Sequence, residues 1–336
     1  MLQEIFRIPF LDIPIYGYGL MLVIGFLLAT QLARFLARRS AVDPEVFVTA
    51  GLVALISGVA GARLSHILEN LGEFTNGSLT QNLWKMVNIR SGGLTYYGGF
   101  ITATACTIGY GLYVKAPIKR GMDIIAPCLM IGLAFGRIGC FLNGCCYGAE
   151  CDIKWLGVQF PYYSNAYIDE WQHGKLKQPV PEELLVPIPD STDGSAKLLE
   201  PPLVERNSLA KNAAAQTGSN LLHPTQIYSA ITAFMLAGIL TAYYTLPHAA
   251  GRVFALMLML EGGTRFLLEM IRTEPAVVGP ESGAHSSLLQ SLPNMSLSMV
   301  IGLGLVAAGL AMWFAVSGPP DELAYQGDTD STPAIA

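Results

Sequence analysis

The stretch that decides the fold class is residues 122–143, which read MDIIAPCLMIGLAFGRIGCFLN. An α-helix needs about 20 mainly apolar residues to cross the hydrocarbon core of a bilayer, and this stretch is long enough. Similar runs recur along the chain and predict seven spans, at 17–36, 47–68, 92–114, 122–143, 225–246, 252–271 and 297–316. The predicted fold class is therefore all-α, a polytopic integral membrane protein, because a barrel would need alternating segments of about ten residues.

The amino-acid composition also indicates a protein that lies mainly within a lipid bilayer. The 336-residue chain is 52% hydrophobic and only 13% charged, whereas a soluble domain has roughly a quarter of its residues charged. The basic residues are scattered and form no stripe, so nucleic acid is not expected as a partner.

Lysine and arginine in the short loops predict the orientation. They follow the first span, separate the third from the fourth and begin the sixth, at Arg34, Arg38, Arg39, Lys115, Lys119, Arg120 and Arg252. With seven spans these loops share one side, which is then cytoplasmic. We therefore expect the N-terminus outside and the C-terminus inside.

Four regions follow from this topology. Residues 1–148 hold the first four spans, and 223–317 hold the last three. Between them, 149–222 is rich in proline and polar residues, which predicts a periplasmic arm or head with a flexible linker around 190–220. The acidic end, 318–336, is expected to be a disordered cytoplasmic tail.

Three arginines lie inside predicted spans, where a charge is costly and usually functional. Arg63, Arg137 and Arg265 occur toward the C-terminal ends of the second, fourth and sixth spans. These helices run in the same direction, so the three guanidinium groups are expected at one depth near the outer face. A guanidinium fork suits a phosphate group, which it can bind through two parallel hydrogen bonds.

The arginines differ in their local partners. Arg265 has Glu261 and Glu269 four residues away on either side and Arg272 beyond them, so a purely structural ion-pair ladder is the alternative to a binding role. Arg63 and Arg137 have no acidic residue at three or four positions and need an anion from elsewhere. For Arg63, reaching to lipid headgroups is a further alternative.

Four of the six cysteines, Cys140, Cys145, Cys146 and Cys151, cluster at the outer end of the fourth span. We interpret them as small buried residues or as a disulfide, which an oxidising periplasm permits. A metal site needs convergent ligands, and the adjacent residues Cys145 and Cys146 do not readily give that geometry. No metal and no other cofactor are predicted.

The order and spacing of short motifs from about residue 15 to 316 resemble the prolipoprotein diacylglyceryl transferase family. The motifs are Tyr18-Gly19-Leu20-Met21, Gly61-Ala62-Arg63, Gly92-Gly93-Leu94-Thr95-Tyr96-Tyr97-Gly98-Gly99, Asp123-Ile124-Ile125-Ala126-Pro127, Gly136-Arg137-Ile138-Gly139 with Asn143-Gly144 and Gly148, His223-Pro224-Thr225-Gln226, and Arg265-Phe266-Leu267-Leu268-Glu269 with Arg272.

The resemblance implies a seven-helix enzyme of the bacterial inner membrane whose active site faces the periplasm. Such enzymes move the diacylglyceryl group of phosphatidylglycerol to the lipobox cysteine thiol of a prolipoprotein and release glycerol 1-phosphate. The expected partners are therefore phosphatidylglycerol, the prolipoprotein signal peptide with its lipobox, and membrane lipid.

The resemblance also implies roles for individual residues. Arg137 and Arg265 are expected to bind the phosphate and stabilise the leaving group, and Tyr97 is the third residue predicted as catalytic. Residues expected to bind phosphatidylglycerol are Tyr18, Arg63, Gly98, Gly99, Asn143, Gly148 and Glu269.

Departures from the family pattern leave the general base open. Tyr97 stands where the family has a catalytic histidine, and Cys140 and Cys145 stand where it has asparagine and glutamate. Tyr97, His66 and His223 are the candidates for the base.

Three other readings fit part of the pattern. An arginine-lined transporter of an anionic metabolite or a lipid-binding protein without catalysis would also need the intramembrane arginines. A thiol–disulfide enzyme would use Cys145 and Cys146.

Overall fold

A computed structural model of the chain describes residues 4–8, 13–40, 42–75, 78–88, 93, 95–187, 196–272, 276–278, 293–316 and 318. The chain forms two compact units. Unit 1 comprises Met1–Leu27, Leu129–Ile239 and Ala255–Ala311, and unit 2 comprises Leu28–Cys128, Leu240–Phe254 and Met312–Ala336. Apart from residue 318, the predicted C-terminal tail lies outside the described residues, as do Gly92 and Leu94.

Helices account for most of the described structure. Those of 18 or more residues are α1 (Gly17–Arg39), α2 (Pro44–Glu69), α5 (Tyr96–Tyr113), α6 (Ile118–Asn143), α10 (Thr225–Tyr244), α11 (Arg252–Glu269) and α12 (Leu297–Ala315). The shorter helices are α3 (Leu71–Thr75), α4 (Leu79–Val87), α7 (Asn165–Gln172), α8 (Pro201–Arg206) and α9 (Ser208–Gln216). A 3-10 turn covers Glu182–Leu184.

The strands are short and form four two-stranded antiparallel pairs among the described residues. These pairs are β1 (Glu4–Ile8) with β2 (Ile13–Tyr16), β3 (Val158–Pro161) with β6 (Gly218–Leu222), β4 (Leu185–Pro187) with β5 (Ala196–Leu198), and β7 (Ala276–Val278) with β8 (Met295–Ser296).

The seven long helices coincide with the seven predicted runs. Five of them, α1, α2, α6, α10 and α12, are long and apolar enough to cross a membrane, which confirms a mostly helical, polytopic membrane protein. Helix α5 is rich in glycine, threonine and tyrosine, and α11 carries Glu261, Arg265 and Glu269 within 18 residues. That polarity separates these two helices from the other five, so the count of seven spans stays a prediction, as does the orientation.

In unit 2, α2 and α5 pack closely because glycines leave room for backbone contact. A Cβ atom added to Gly98 would lie 2.9 Å from the carbonyl oxygen of Gly61, and one added to Gly99 would lie 2.9 Å from that of Gly58. Small residues at such a crossing are typical of helix pairs in membranes. Gly98 and Gly99 therefore have a packing role, whether or not they also contact lipid.

Unit 2 also explains the Asp123 motif. The Asp123 carboxylate is buried and accepts hydrogen bonds from the backbone N–H groups of Gly251 and Phe254, at 2.6 and 2.9 Å. Helix α11 begins at Arg252, so Asp123 supplies acceptors for its unpaired first-turn donors. A negative charge at this end also opposes the positive end of the helix dipole.

In unit 1, the segment after α6 folds around Phe160. This side chain is fully buried against Leu222 and the rings of Phe141 and Tyr147, so it attaches β3 and β6 to the end of α6. The Tyr147 hydroxyl donates to the Asp169 carboxylate at 2.5 Å. Burial and this hydrogen bond raise the pKa of Tyr147, so the phenol stays protonated and keeps donating.

The same segment differs from the irregular arm and linker that the sequence predicts around 190–220. From 196 onward it contains β5, α8, α9 and β6. Leu184, Val204 and Ala210 form a buried cluster there. The prolines misled the prediction because Pro201 and Pro202 occupy the first turn of α8, where proline is well tolerated.

Helices α11 and α12 also meet through glycines, and this contact positions the polar face of α11. A Cβ atom added to Gly262 would lie 2.5 Å from the carbonyl oxygen of Gly302, and one added to Gly309 would lie 2.8 Å from that of Ala255. Gly263, the next residue on α11, has nothing within 4 Å of such an atom. Only one of the two adjacent glycines is therefore required for the contact.

This pair gives a matched test. We expect Gly262→Ala to lower the free energy of unfolding by about 2 kcal/mol, because the added methyl group overpacks the α11–α12 contact. Gly263→Ala should leave stability unchanged or raise it slightly, since alanine favours helix. Thermal unfolding of both variants in the same detergent measures the difference. Equal midpoints would show that the contact does not limit stability.

Candidate active site

Three arginines and two glutamates of unit 1 line one cavity, which encloses about 390 Å³ including its open mouth. Helix α10 contributes hydroxyl groups, α6 contributes an arginine, and α11 and the residues after it contribute charges and one hydroxyl group. The lining residues are Arg137, Thr225, Ser229, Thr232, Glu261, Thr264, Arg265, Leu268, Glu269 and Arg272.

Helix periodicity explains why these residues meet. On α11 the lining positions are three or four residues apart, from Glu261 through Arg265 to Glu269, so they share one face. On α10 the lining positions Thr225, Ser229 and Thr232 follow the same spacing. The sequence predicts Thr225 only as part of a family motif and assigns no site role to Ser229, Thr232 or Thr264, although the spacing on α10 is visible in the sequence.

One ion pair is described at the cavity, and the lining still carries more positive than negative side chains. Arg272 Nη1 donates to Glu269 Oε2 at 3.2 Å, and the Glu269 side chain is only 4% exposed. Of the ion-pair ladder that the sequence predicts on α11, the described contacts show this one pair. The buried Nε atom of Arg265 has no hydrogen-bond acceptor within the described part of the chain. With three arginines and two glutamates in its lining, the cavity favours an anionic ligand.

The loop after α6 is attached to the start of α10 through its backbone carbonyls. Thr225 Oγ1 donates to the carbonyl oxygen of Cys146 at 2.8 Å, and Gln226 Nε2 donates to that of Cys145 at 2.6 Å. Because Thr225 also lines the cavity, this clamp links the loop directly to the charged residues. It accounts for the His-Pro-Thr-Gln motif at the start of α10.

Gly148 attaches the far end of the same loop to the residues before α10. Its N–H donates to the carbonyl oxygen of His223 at 2.9 Å. A Cβ atom at this position would lie 2.6 Å from Thr225 Cγ2 and 3.1 Å from the carbonyl oxygen of Ile271. Glycine is therefore required for the chain to pass between the start of α10 and the end of α11.

One cysteine at the end of α6 and two in the following loop converge. The sulfur atoms of Cys140, Cys145 and Cys146 lie within 4.8 Å of one another. The sequence predicts that the adjacent residues Cys145 and Cys146 do not readily converge, but here they do, because Gly144 and Cys146 adopt left-handed backbone angles, with φ of 71° and 58°. Cys151 is buried elsewhere, and its thiol donates to the carbonyl oxygen of Ile153.

Arg63 belongs to unit 2 and has different partners. Its Nε and Nη1 atoms donate to the carbonyl oxygens of Met86 and Gly93, both at 2.9 Å, and Nη2 donates to those of Lys85 and Asn88, at 2.5 and 3.1 Å. Its side chain also lies over the Phe74 ring. The sequence predicts an anionic partner for this guanidinium group, but the described partners are backbone carbonyls at the end of α4 and just after it.

Comparison with known proteins identifies the family of the chain. A model described as prolipoprotein diacylglyceryl transferase matches residues 3–315. The chain belongs to this family.

Relatives that carry the name phosphatidylglycerol–prolipoprotein diacylglyceryl transferase include the following three. The one from Clostridium tetani is 25% identical over 87% of this chain and 92% of its own length. The one from Chromobacterium violaceum is 26% identical over 88% and 91%. The one from Rhodopirellula baltica is 32% identical, but the match spans only 49% of this chain and 33% of that relative.

Several positions that the diacylglyceryl transferase family resemblance points to come together in unit 1. Arg137, Arg265 and Glu269 line the cavity. Tyr18 packs on α6, because a Cβ atom at Gly139 would lie 2.9 Å from its ring. Asn143 at the end of α6 interacts with the Cys145 thiol.

Gly148 and the candidate base His223 also belong to unit 1, whereas the remaining predicted site residues lie in unit 2. Tyr97 is 52% exposed in the first turn of α5, beside the packing residues Gly98 and Gly99. His66 is engaged by Asn70 and by the edge of the Phe74 ring. Their roles in substrate binding or catalysis stay predictions.

The contacts of Arg63 predict a structural effect. We expect Arg63→Met to lower the free energy of unfolding by about 3 kcal/mol, since it leaves several carbonyl groups without donors. It should also increase amide hydrogen exchange across residues 85–93. Arg38→Met is the control, because Arg38 is exposed on α1. Unchanged exchange in this segment for Arg63→Met would contradict the structural role.

Proposed function

We propose that this protein transfers the diacylglyceryl group of phosphatidylglycerol to the lipobox cysteine thiol of prolipoproteins and releases glycerol 1-phosphate. The observation that carries the proposal is the meeting of Arg137, Arg265 and Arg272 around one cavity. The substrate headgroup is a phosphodiester, and guanidinium groups are the side chains best suited to grip its oxygens.

The proposed reaction is a displacement at a glycerol carbon. The substrate thiolate attacks the carbon that bears the phosphodiester oxygen, a sulfur–carbon bond forms and the carbon–oxygen bond breaks. Glycerol 1-phosphate leaves with the bonding electron pair and therefore gains negative charge. Arg137 and Arg265 stabilise that charge as it develops, which lowers the barrier because both groups are already in place.

The buried Glu269 carboxylate determines which arginine is already paired and which remain available to the phosphate. Glu269 pairs with Arg272 and fixes its position, so this pair contributes shape and orientation rather than free charge. Arg137 and Arg265 supply the remaining positive field. Tyr18 and Asn143 line the headgroup side of the site in this proposal, and Gly148 shapes its wall.

The proposal includes a location. The seven long helices cross the bacterial inner membrane, with the N-terminus outside and the C-terminus in the cytoplasm. The C-terminal ends of α6 and α11 then lie toward the periplasm, which places the arginines in the outer half of the bilayer. The acyl chains of phosphatidylglycerol can remain in lipid while the headgroup enters the cavity.

A transfer assay tests the function directly. Purified protein in detergent is mixed with phosphatidylglycerol and a lipobox peptide, and peptide mass and glycerol phosphate release are measured. We expect diacylglyceryl-modified peptide from the wild type and at least a ~100-fold lower rate from Arg137→Gln, which removes charge at the leaving group.

Arg206→Gln is the matched control, because Arg206 is exposed on α8 and far from the cavity in sequence. It should retain the wild-type rate. Wild-type protein that binds phosphatidylglycerol but forms no modified peptide would overturn the proposal in favour of lipid binding or transport.

A further inference from the structure

The thiol cluster of Cys140, Cys145 and Cys146 has the dimensions of a metal site. All three sulfur atoms lie within 4.8 Å of one another. Zinc–sulfur bonds of about 2.3 Å put tetrahedral sulfur ligands about 3.8 Å apart. The thiols therefore need to approach by only about 1 Å to share one ion.

The backbone holds this convergence before any ligand is bound. Cys146 adopts a φ of 58°, in the left-handed region that residues with a side chain rarely occupy. Strained backbone of this kind persists where the surroundings enforce it, and it is frequent at functional sites. Here the enforcing contacts are the hydrogen bonds of Thr225 and Gln226 to the carbonyl oxygens of Cys146 and Cys145.

The number and exposure of the thiols indicate the type of site. Each of the three is partly exposed. Structural zinc sites are closed by four protein ligands, whereas catalytic sites have three and leave one position for water or substrate. Three soft sulfur ligands favour zinc or another soft metal over magnesium and calcium, which take oxygen ligands.

The location connects the cluster to the cavity. Arg137 lines the cavity and precedes Cys140 by three residues on α6, so both side chains lie on the same face of that helix. Thr225 lines the cavity and also binds the carbonyl oxygen of Cys146. An ion at the cluster would therefore be next to the charges that bind an anionic headgroup.

We propose that Cys140, Cys145 and Cys146 form a three-thiolate site for a soft divalent metal ion of the zinc class, and that its fourth position takes the thiol of the incoming substrate. The second part rests on the proposed transferase function. A thiol that coordinates zinc loses its proton, here to solvent water. The sulfur would then form the carbon–sulfur bond as the carbon–oxygen bond breaks and glycerol 1-phosphate leaves with the electron pair, and the thioether product, a weaker ligand, would dissociate.

This site supplies what the sequence leaves open. The reaction needs a thiolate, because the thiol itself is a poor nucleophile. Tyr97 stands where the family resemblance implies a histidine, so this position offers no imidazole to accept the thiol proton. Metal coordination removes the need for a side-chain base near the substrate sulfur.

Cobalt titration tests the metal site without an activity measurement. Co²⁺ is added to the reduced, full-length protein in detergent, and the sulfur-to-cobalt charge-transfer absorption is recorded. We expect saturation near one ion per chain, with an intensity typical of three thiolates, and displacement by Zn²⁺. Absence of this absorption in folded wild-type protein would overturn the proposal without any variant being required.

Variants assign the ligands. Replacing Cys140, Cys145 and Cys146 together by serine should abolish the absorption, whereas the double variant Cys106→Ser and Cys128→Ser should retain it, because these two cysteines lie elsewhere on α5 and α6. Mass spectrometry of the protein as isolated from membranes gives a second test. A disulfide within the cluster in all molecules, with no bound metal, would overturn the site.

The transfer assay separates the two parts of the proposal. Removal of the ion by a chelator should lower the transfer rate at least tenfold, and Zn²⁺ should restore it. Metal binding with a rate that chelation does not change would overturn the role of the ion in holding the substrate thiol. Metal binding with no transfer under any condition would overturn the proposed function and leave the metal site standing.

Discussion

A guanidinium group inside an apolar helix must have its charge compensated, and this requirement governs the polar architecture of the protein. The arginines in and just after these helices meet it differently. Arg63 donates to four backbone carbonyls, and Arg272 pairs with Glu269. Arg137 and Arg265 face a cavity whose lining has more arginines than carboxylates. The first two solutions stabilise the fold, whereas the third leaves positive charge available for an anionic ligand.

Helix α11 combines a charged face that lines the cavity with a glycine face that packs against another helix. One face carries Glu261, Arg265 and Glu269 into the cavity, and Gly262 on another face lets the backbone of α12 approach. The charges lower the mean hydropathy of the helix, which is why α11 does not resemble the five most apolar helices. Its N-terminus is buried as well, and the Asp123 carboxylate accepts hydrogen bonds from the donors there. Close glycine contacts and this carboxylate thus stabilise a helix that lipid alone would not favour.

The sequence predicts these features to the extent that they depend on local periodicity. Hydrophobic runs predicted the seven long helices that the structure describes, and helix spacing predicted that Arg265 and Glu269 share one face. The partners of Arg63 were not accessible, because they are carbonyls of a segment more than twenty residues away whose backbone path no pattern specifies. The helices of the arm were missed because a run rich in proline reads as a linker, although its Pro201 and Pro202 begin a helix. The convergence of the cysteines depends on two left-handed residues, and at Cys146 nothing in the sequence indicates one.

The loop between α6 and β3 explains how this chain can depart from the family pattern without losing the site. Gln226 and Thr225 hold the loop through the carbonyl oxygens of Cys145 and Cys146, not through their side chains. Gly148 fixes its far end through a backbone hydrogen bond and the absence of a Cβ atom. Because the anchoring groups are main-chain atoms, the loop side chains can change chemically while the loop keeps its position. The family resemblance implies asparagine and glutamate at the positions of Cys140 and Cys145, and a change at Cys145 leaves the hydrogen bond from Gln226 to its carbonyl oxygen possible.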